Sequence, residues 1–142
     1  MAIRTATAQW KGTLKEGKGT FETGSKTLKS GYTFAGRFEN EPGTNPEELV
    51  GAAHAACYSM FLSALLSGKQ LNPDSIETKA TITLEKDDVG PNITSIHLDC
   101  KAKVSGITAS DFATLADEAK SKCPISRLYQ NGTKVTLSAT LR

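Results

Sequence analysis

The chain lacks a Cys-x-x-Cys pair, and its three cysteines are an odd number. That argues against a secreted disulfide scaffold and against a zinc ribbon, and points to a reducing cytoplasm as the setting. No unbroken apolar run approaches the roughly 20 residues of a membrane span, so no spanning segment is expected. Neither sign of charge dominates. Lys plus Arg number 17 against 15 for Asp plus Glu, and the net charge of +2 is too small for an electrostatic footprint on nucleic acid or an anionic membrane. The opening Met1 to Trp10 mixes Arg4, Thr5, Thr7 and Gln9 with small residues, without the pattern of a signal peptide. Repeats, linkers and low-complexity tracts are missing as well. What remains is 142 residues, 38% hydrophobic and 23% charged, which is the composition of one globular domain over 1–142.

Three segments alternate with a period of two. Ile76 to Leu84 sets apolar even positions against polar odd ones. Ile96, Leu98, Cys100, Ala102 and Val104 do the same, as do Val135, Leu137, Ala139 and Leu141. One wet face and one buried face predict antiparallel sheet. Asp87 to Asn92 reads as the turn between the first two, and Asn131-Gly132 leads into the third. Weaker strand signals lie at Ile3 to Trp10, Gly19 to Leu28 and Tyr32 to Phe38.

Two segments read as helices. Asn45-Pro46-Glu47-Glu48 supplies an N-cap, a proline at the first position and two acids at the positive end of the dipole. The run from Leu49 to Leu66 carries no charge and is apolar nearly all round, which predicts a buried helix ending near Gly68. A second, amphipathic helix over Ser110 to Lys122 presents Phe112, Leu115, Ala116 and Ala119 on one face and stops at Cys123-Pro124. The order β-β-β-α-β-β-α-β predicts an α+β fold.

Six residues can bring polar or sulfur chemistry to that frame. Cys57 lies in the apolar helix, where a cysteine is commonly a small hydrophobe. His54, three residues earlier, shares its face and can act as a base. Cys100 takes an inward strand position that packing explains. Cys123 sits at a helix end, where thiols are often accessible. His54, Cys57, His97 and Cys123 include metal-ligand types, but His97 points to the polar face of its strand and the spacing is unlike structural zinc, so no metal is expected. Arg37, in the loop Phe34 to Thr44, can lower the pKa of a nearby thiol.

These residues form a combination that resembles one family. Thr44-Asn45-Pro46-Glu47-Glu48-Leu49, then Ala52-Ala53-His54-Ala55-Ala56-Cys57, then Ala119 through Cys123-Pro124-Ile125-Ser126, are similar to the OsmC/Ohr proteins (osmotically inducible and organic hydroperoxide resistance proteins). The resemblance covers nearly the whole chain. Arg37 just ahead of the helix is closer to the OsmC branch. The other branch usually has its arginine in an earlier loop, where this chain has only Lys15 and Lys18.

The resemblance implies antiparallel sheets around a central helix in an intertwined homodimer, and no metal or organic cofactor. It implies a thiol peroxidase acting in oxidative or osmotic stress defence, with organic hydroperoxide as substrate and a dithiol as reductant. Cys57 matches the peroxidatic cysteine and Cys123 the resolving one, while Arg37 and Glu47 match the pair that activates the thiolate. Helix geometry adds a constraint: ten residues separate Glu47 from Cys57 by about 15 Å along the axis. Glu47 is therefore expected to serve the partner's Cys57, with the two helices antiparallel about a twofold axis. The alternatives from other classes are a module binding a small apolar ligand and a hydrolase using Cys57 and His54.

Overall fold

A computed structural model describes residues 1–39 and 41–142, which fall into two units, Met1–Leu49 and Val50–Arg142. The first unit is a three-stranded antiparallel sheet in the order β1 (Ala6–Lys11), β2 (Lys18–Thr23), β3 (Lys29–Thr33). Its cross-strand row Trp10, Gly19, Tyr32 explains a glycine in the middle strand. The Trp10 and Tyr32 rings approach to 5.4 Å between centroids, and a Cβ on Gly19 would run into both of them. The two rings thus cover the gap that the glycine leaves.

Sequence periodicity extends the third strand to Phe38; the structure ends it at Thr33. The Thr33 hydroxyl accepts the Gly36 N–H at 2.9 Å and starts a short helix, α1 (Phe34–Phe38), instead. Phe34 and Phe38 then stack one turn apart, with centroids 5.0 Å apart, a spacing that also fits alternating strand positions.

The long helix α2 (Pro46–Gly68) opens as expected, with Asn45 Oδ1 accepting the Glu48 N–H at 2.9 Å. Its burial is different from expectation. Only Gly51, His54, Tyr58, Leu62 and Leu66 are buried, a stripe along one face, while Ala52, Ala53, Ala56, Met60 and Ala64 are exposed in the single chain. The helix is also long and apolar enough, at a mean hydropathy of 1.6, to cross a membrane by length and composition. Gly, His and Ser punctuate the sequence, so the helix shows no unbroken apolar run. Tyr58, Leu62 and Leu66 lie instead in the protein's own core.

In the second unit β4 (Pro73–Lys86) and β5 (Pro91–Val104) form an antiparallel hairpin. Asp87 closes it by accepting the Val89 and Gly90 amides at 2.8 and 3.0 Å, and Gly90 supplies a φ of 142°. The remaining strand, β6 (Lys134–Leu141), pairs with β5 in parallel, not antiparallel as its alternation implied. Alternation reports one wet face, which either direction satisfies. The direction is set by the crossover through α3 (Ala109–Lys122) and α4 (Pro124–Tyr129), which returns the chain to the starting end of β5. The core joins the α2 stripe to Ile96, Leu98, Cys100, Ala102 and Val104 of β5 and to Phe112, Leu115, Ala116 and Ala119 of α3. The architecture is α+β, with two short helices, α1 and α4, added to the expected order.

Candidate active site

The end of α3 explains where Cys123 sits. Its N–H closes the last turn on the Ala119 carbonyl at 2.9 Å. Pro124 then disfavours helical backbone at the residue before it, so Cys123 leaves the helix with φ −54° and ψ 128°. The same residue starts α4, where Pro124 takes the first position. This elbow brings Cys123 Sγ to 3.0 Å from Cys57 Sγ on α2, across 66 residues of sequence. Both thiols are free. Contrary to the helix-end expectation, Cys123 is fully buried and Cys57 is the more open of the two.

Burial pushes the Cys57 thiol above its ordinary value of 9.0, the contact with Cys123 adds to the rise, and the Ile125 backbone N–H acts against it. A protonated thiol is a poor nucleophile. Reactivity near neutral pH requires a cationic neighbour.

The first unit holds an arginine in a fixed orientation. Arg37, in the last turn of α1, meets Glu47 side-on: Nε lies 3.1 and 3.2 Å from the two carboxylate oxygens, and Nη2 lies 2.7 Å from Oε1. This fork leaves Nη1 clear of Glu47. The Phe38 ring lies beneath the guanidinium at 4.9 Å. Alongside is a recess of about 180 Å³ lined by Trp10, Leu14, Tyr32, Phe34 and Phe38 as well as Arg37. The structure thus pairs Cys57 with Cys123 in the second unit and Arg37 with Glu47 in the first.

His54 is engaged elsewhere. It is fully buried, its Nε2 lies 2.8 Å from Ser126 Oγ, and its Nδ1 has no partner among the described residues. Burial holds its pKa below 6.5. Nothing in the sequence marks Ser126 as the partner of His54, since a serine on a short helix after a Cys-Pro step carries no signal of its own. Cys100 is buried on β5, as its inward position predicted. His97 bonds Thr136 through Nδ1 at 2.7 Å. Among the described residues no three His, Cys, Asp or Glu side chains gather where a metal ion could be held.

The family model for OsmC-like proteins matches residues 38–138. The chain belongs to the OsmC-like family. It is 46% identical over 136 residues to a protein of Escherichia coli K12 named peroxiredoxin OsmC, covering 95% of this chain and 94% of that one. It is 29% identical over 97 residues to the organic hydroperoxide resistance protein OhrA of Bacillus subtilis, covering 68% and 67% of the two chains. A solved OsmC from Legionella pneumophila, described as an organic hydroperoxide resistance protein, shares the fold with a TM-score of 0.76 at 21% identity over 99% of both chains. An OsmC-like protein from Vibrio cholerae does so with a TM-score of 0.81 at 19% identity over 99% of this chain and 100% of that one.

Proposed function

We propose that the protein is a cysteine-based peroxidase that reduces organic hydroperoxides, and hydrogen peroxide more weakly. The observation that carries this reading is the 3.0 Å separation of Cys57 and Cys123 in a family whose curated relatives are named for peroxide chemistry. Cys57 thiolate attacks the outer peroxide oxygen and the O–O bond breaks. Cys57 becomes a sulfenic acid, and the departing alkoxide takes a proton to become the alcohol. Cys123 then attacks the sulfenate sulfur, the S–O bond breaks, and water leaves as the disulfide forms. A dithiol reductant returns both cysteines to thiols, and the reducing cytoplasm that supplies one is the setting. Neither a metal nor an organic cofactor enters these steps, and nucleic acid and membrane are not partners.

Arg37 supplies the positive charge that the buried thiol needs, and Glu47 fixes the guanidinium with its bidentate grip. The aromatic recess beside Arg37 favours a substrate with an organic tail over hydrogen peroxide. Because ten helical residues, about 15 Å, separate Glu47 from Cys57 of its own chain, the pair serves the partner's Cys57 in a homodimer. The hydrolase alternative has little support, since His54 bonds Ser126 and its second nitrogen meets no carboxylate among the described residues. Thiol titration before and after one equivalent of cumene hydroperoxide tests the peroxidase. Two thiols per chain should disappear, and loss of none would reject it.

A further inference from the structure

We propose that His54 and Ser126 are positioning residues that hold Cys123 against Cys57, and so set how efficiently the sulfenic acid is resolved. This rests on the peroxidase reading for its catalytic consequence, but its structural part stands by itself. His54 and Cys57 are three residues apart on α2, and Cys123 and Ser126 are three apart at the elbow into α4. The 3.0 Å sulfur contact and the 2.8 Å His54–Ser126 bond are therefore two parallel rungs between the same two elements.

α4 takes a polar tie from the second rung, beside the packing of Ile125 and Tyr129 against the core. It has six residues and no side-chain hydrogen bond at its N-cap, and so short a helix does not persist without tertiary contacts. Ser126 is its buried residue, 4% exposed, and its hydroxyl meets a fully buried imidazole. The ring has little else: Nδ1 has no partner among the described residues, and Tyr129 lies tilted at 5.9 Å between centroids. Breaking the bond strands a second ring nitrogen in a dry site, so the ring and α4 shift to relieve it. Any shift separates sulfurs that must close from 3.0 Å to the roughly 2.05 Å of a disulfide. The sulfenic acid then survives longer, and a second peroxide oxidises it to a sulfinic acid with release of a second alcohol.

The test has two arms on the full-length protein. In the first, wild type, Ser126→Ala, His54→Phe, His54→Gln and the Ser126→Ala/His54→Phe double variant are equilibrated with mixtures of reduced and oxidised dithiothreitol. The Cys57–Cys123 disulfide fraction is then read by mass spectrometry. Ser126→Ala and His54→Phe should each shift the equilibrium about tenfold toward the dithiol, a potential about 30 mV less negative. The double variant should go no further than the worse single one, and His54→Gln, whose amide can reach the serine, should recover most of the shift. In the second arm the sulfinic acid on Cys57 is measured after excess cumene hydroperoxide. Ser126→Ala should accumulate several times more than wild type while its first-turnover rate stays the same. Wild-type disulfide equilibrium in Ser126→Ala and His54→Phe, or additive effects in the double variant, would overturn the clamp. Absence of peroxide consumption by wild type would overturn the peroxidase reading and leave the dithiothreitol arm to judge the clamp.

Discussion

Arg37 and Glu47 are locked side-on, with Nε and Nη2 both engaged by one carboxylate at 2.7–3.2 Å. That geometry fixes the plane of the guanidinium, which a lysine cannot imitate. Arg37→Ala should slow the peroxide step about 10²-fold, the loss of thiolate that a rise of two pKa units produces. Arg37→Lys should recover only part of it, and Glu47→Gln should cost less than either. Single-turnover kinetics against pH check this. The rise of the Arg37→Ala profile should lie at higher pH than that of wild type, because burial keeps the uncompensated Cys57 thiol protonated.

Cys57→Ser should abolish peroxide reduction, because a hydroxyl provides almost no anionic nucleophile near neutral pH. Cys123→Ser should complete one peroxide cleavage and stall. Mass spectrometry should then find added oxygen on Cys57 in that variant, and a Cys57–Cys123 link with reduced Cys100 in wild type. Cys100 lies in the core on β5, so its appearance in a disulfide would mean that the core opens during turnover.

What could be read from sequence follows physical range. The start of α2 was legible because Asn45, Pro46 and the two glutamates act within one turn of each other. The hairpin at Asp87 was legible for the same reason. Direction was hidden in β6, since alternation marks a wet face and is blind to whether a strand runs parallel. The helices α1 and α4 are shorter than the window over which a 3.6-residue period can declare itself. Charge-free sequence between Leu49 and Leu66 argued for burial all round, yet one chain covers only the stripe through Tyr58 and Leu62. In the site, the two thiols and the Arg37–Glu47 pair came from the motif's resemblance to a family. Both His54 and Ser126 lie within those motifs, but their pairing was not legible, because 72 residues separate them.

Stability should carry the signature of His54. Burial holds its folded pKa below the ordinary 6.5, so below about pH 6.5 the unfolded chain binds a proton that the folded chain does not. This contribution is complete above 6.5 and is lost as pH falls toward the folded value, with a slope of at most about 1.4 kcal/mol per pH unit. Asp87, held below its ordinary 3.8 by the Val89 and Gly90 amides, acts only at lower pH and does not obscure the window. Urea denaturation between pH 7.5 and 4.5 should show the decline in wild type and a flatter curve in His54→Gln. Equal slopes would mean that His54 is protonated while buried.

Leu62 should be among the costliest truncations on α2. It is fully buried between helix and sheet, and Leu62→Ala should lose about 2–5 kcal/mol in denaturant unfolding. Ala64→Ser, on the exposed side, should change stability by less than about 0.5 kcal/mol in the monomeric state.

The exposed side of α2 decides the shared-site proposal. Ala52, Ala53, Ala56, Met60 and Ala64 recur at helical spacing opposite the buried stripe, and Met60 is 74% exposed in one chain. Small side chains there let a second α2 approach closely, and the approach would dehydrate a charge placed in the seam. Met60→Glu should therefore convert a dimer to a monomer in analytical ultracentrifugation and depress peroxide turnover together with it. Catalytic complementation gives the sharper reading. Arg37→Ala lacks the cation and Cys57→Ser the nucleophile, so each homodimer should be nearly inactive. A heterodimer of the two holds one site with Arg37 from one chain and Cys57 from the other, both intact. Full subunit exchange at equal concentrations makes half the dimers mixed, each with one of two sites restored, so turnover should recover to about a quarter of wild type. If Arg37 served Cys57 of its own chain, each site of a mixed dimer would carry one of the two lesions, and no activity would return on mixing. Exchange proven by mass spectrometry without recovery of activity would therefore reject the site shared across the twofold axis.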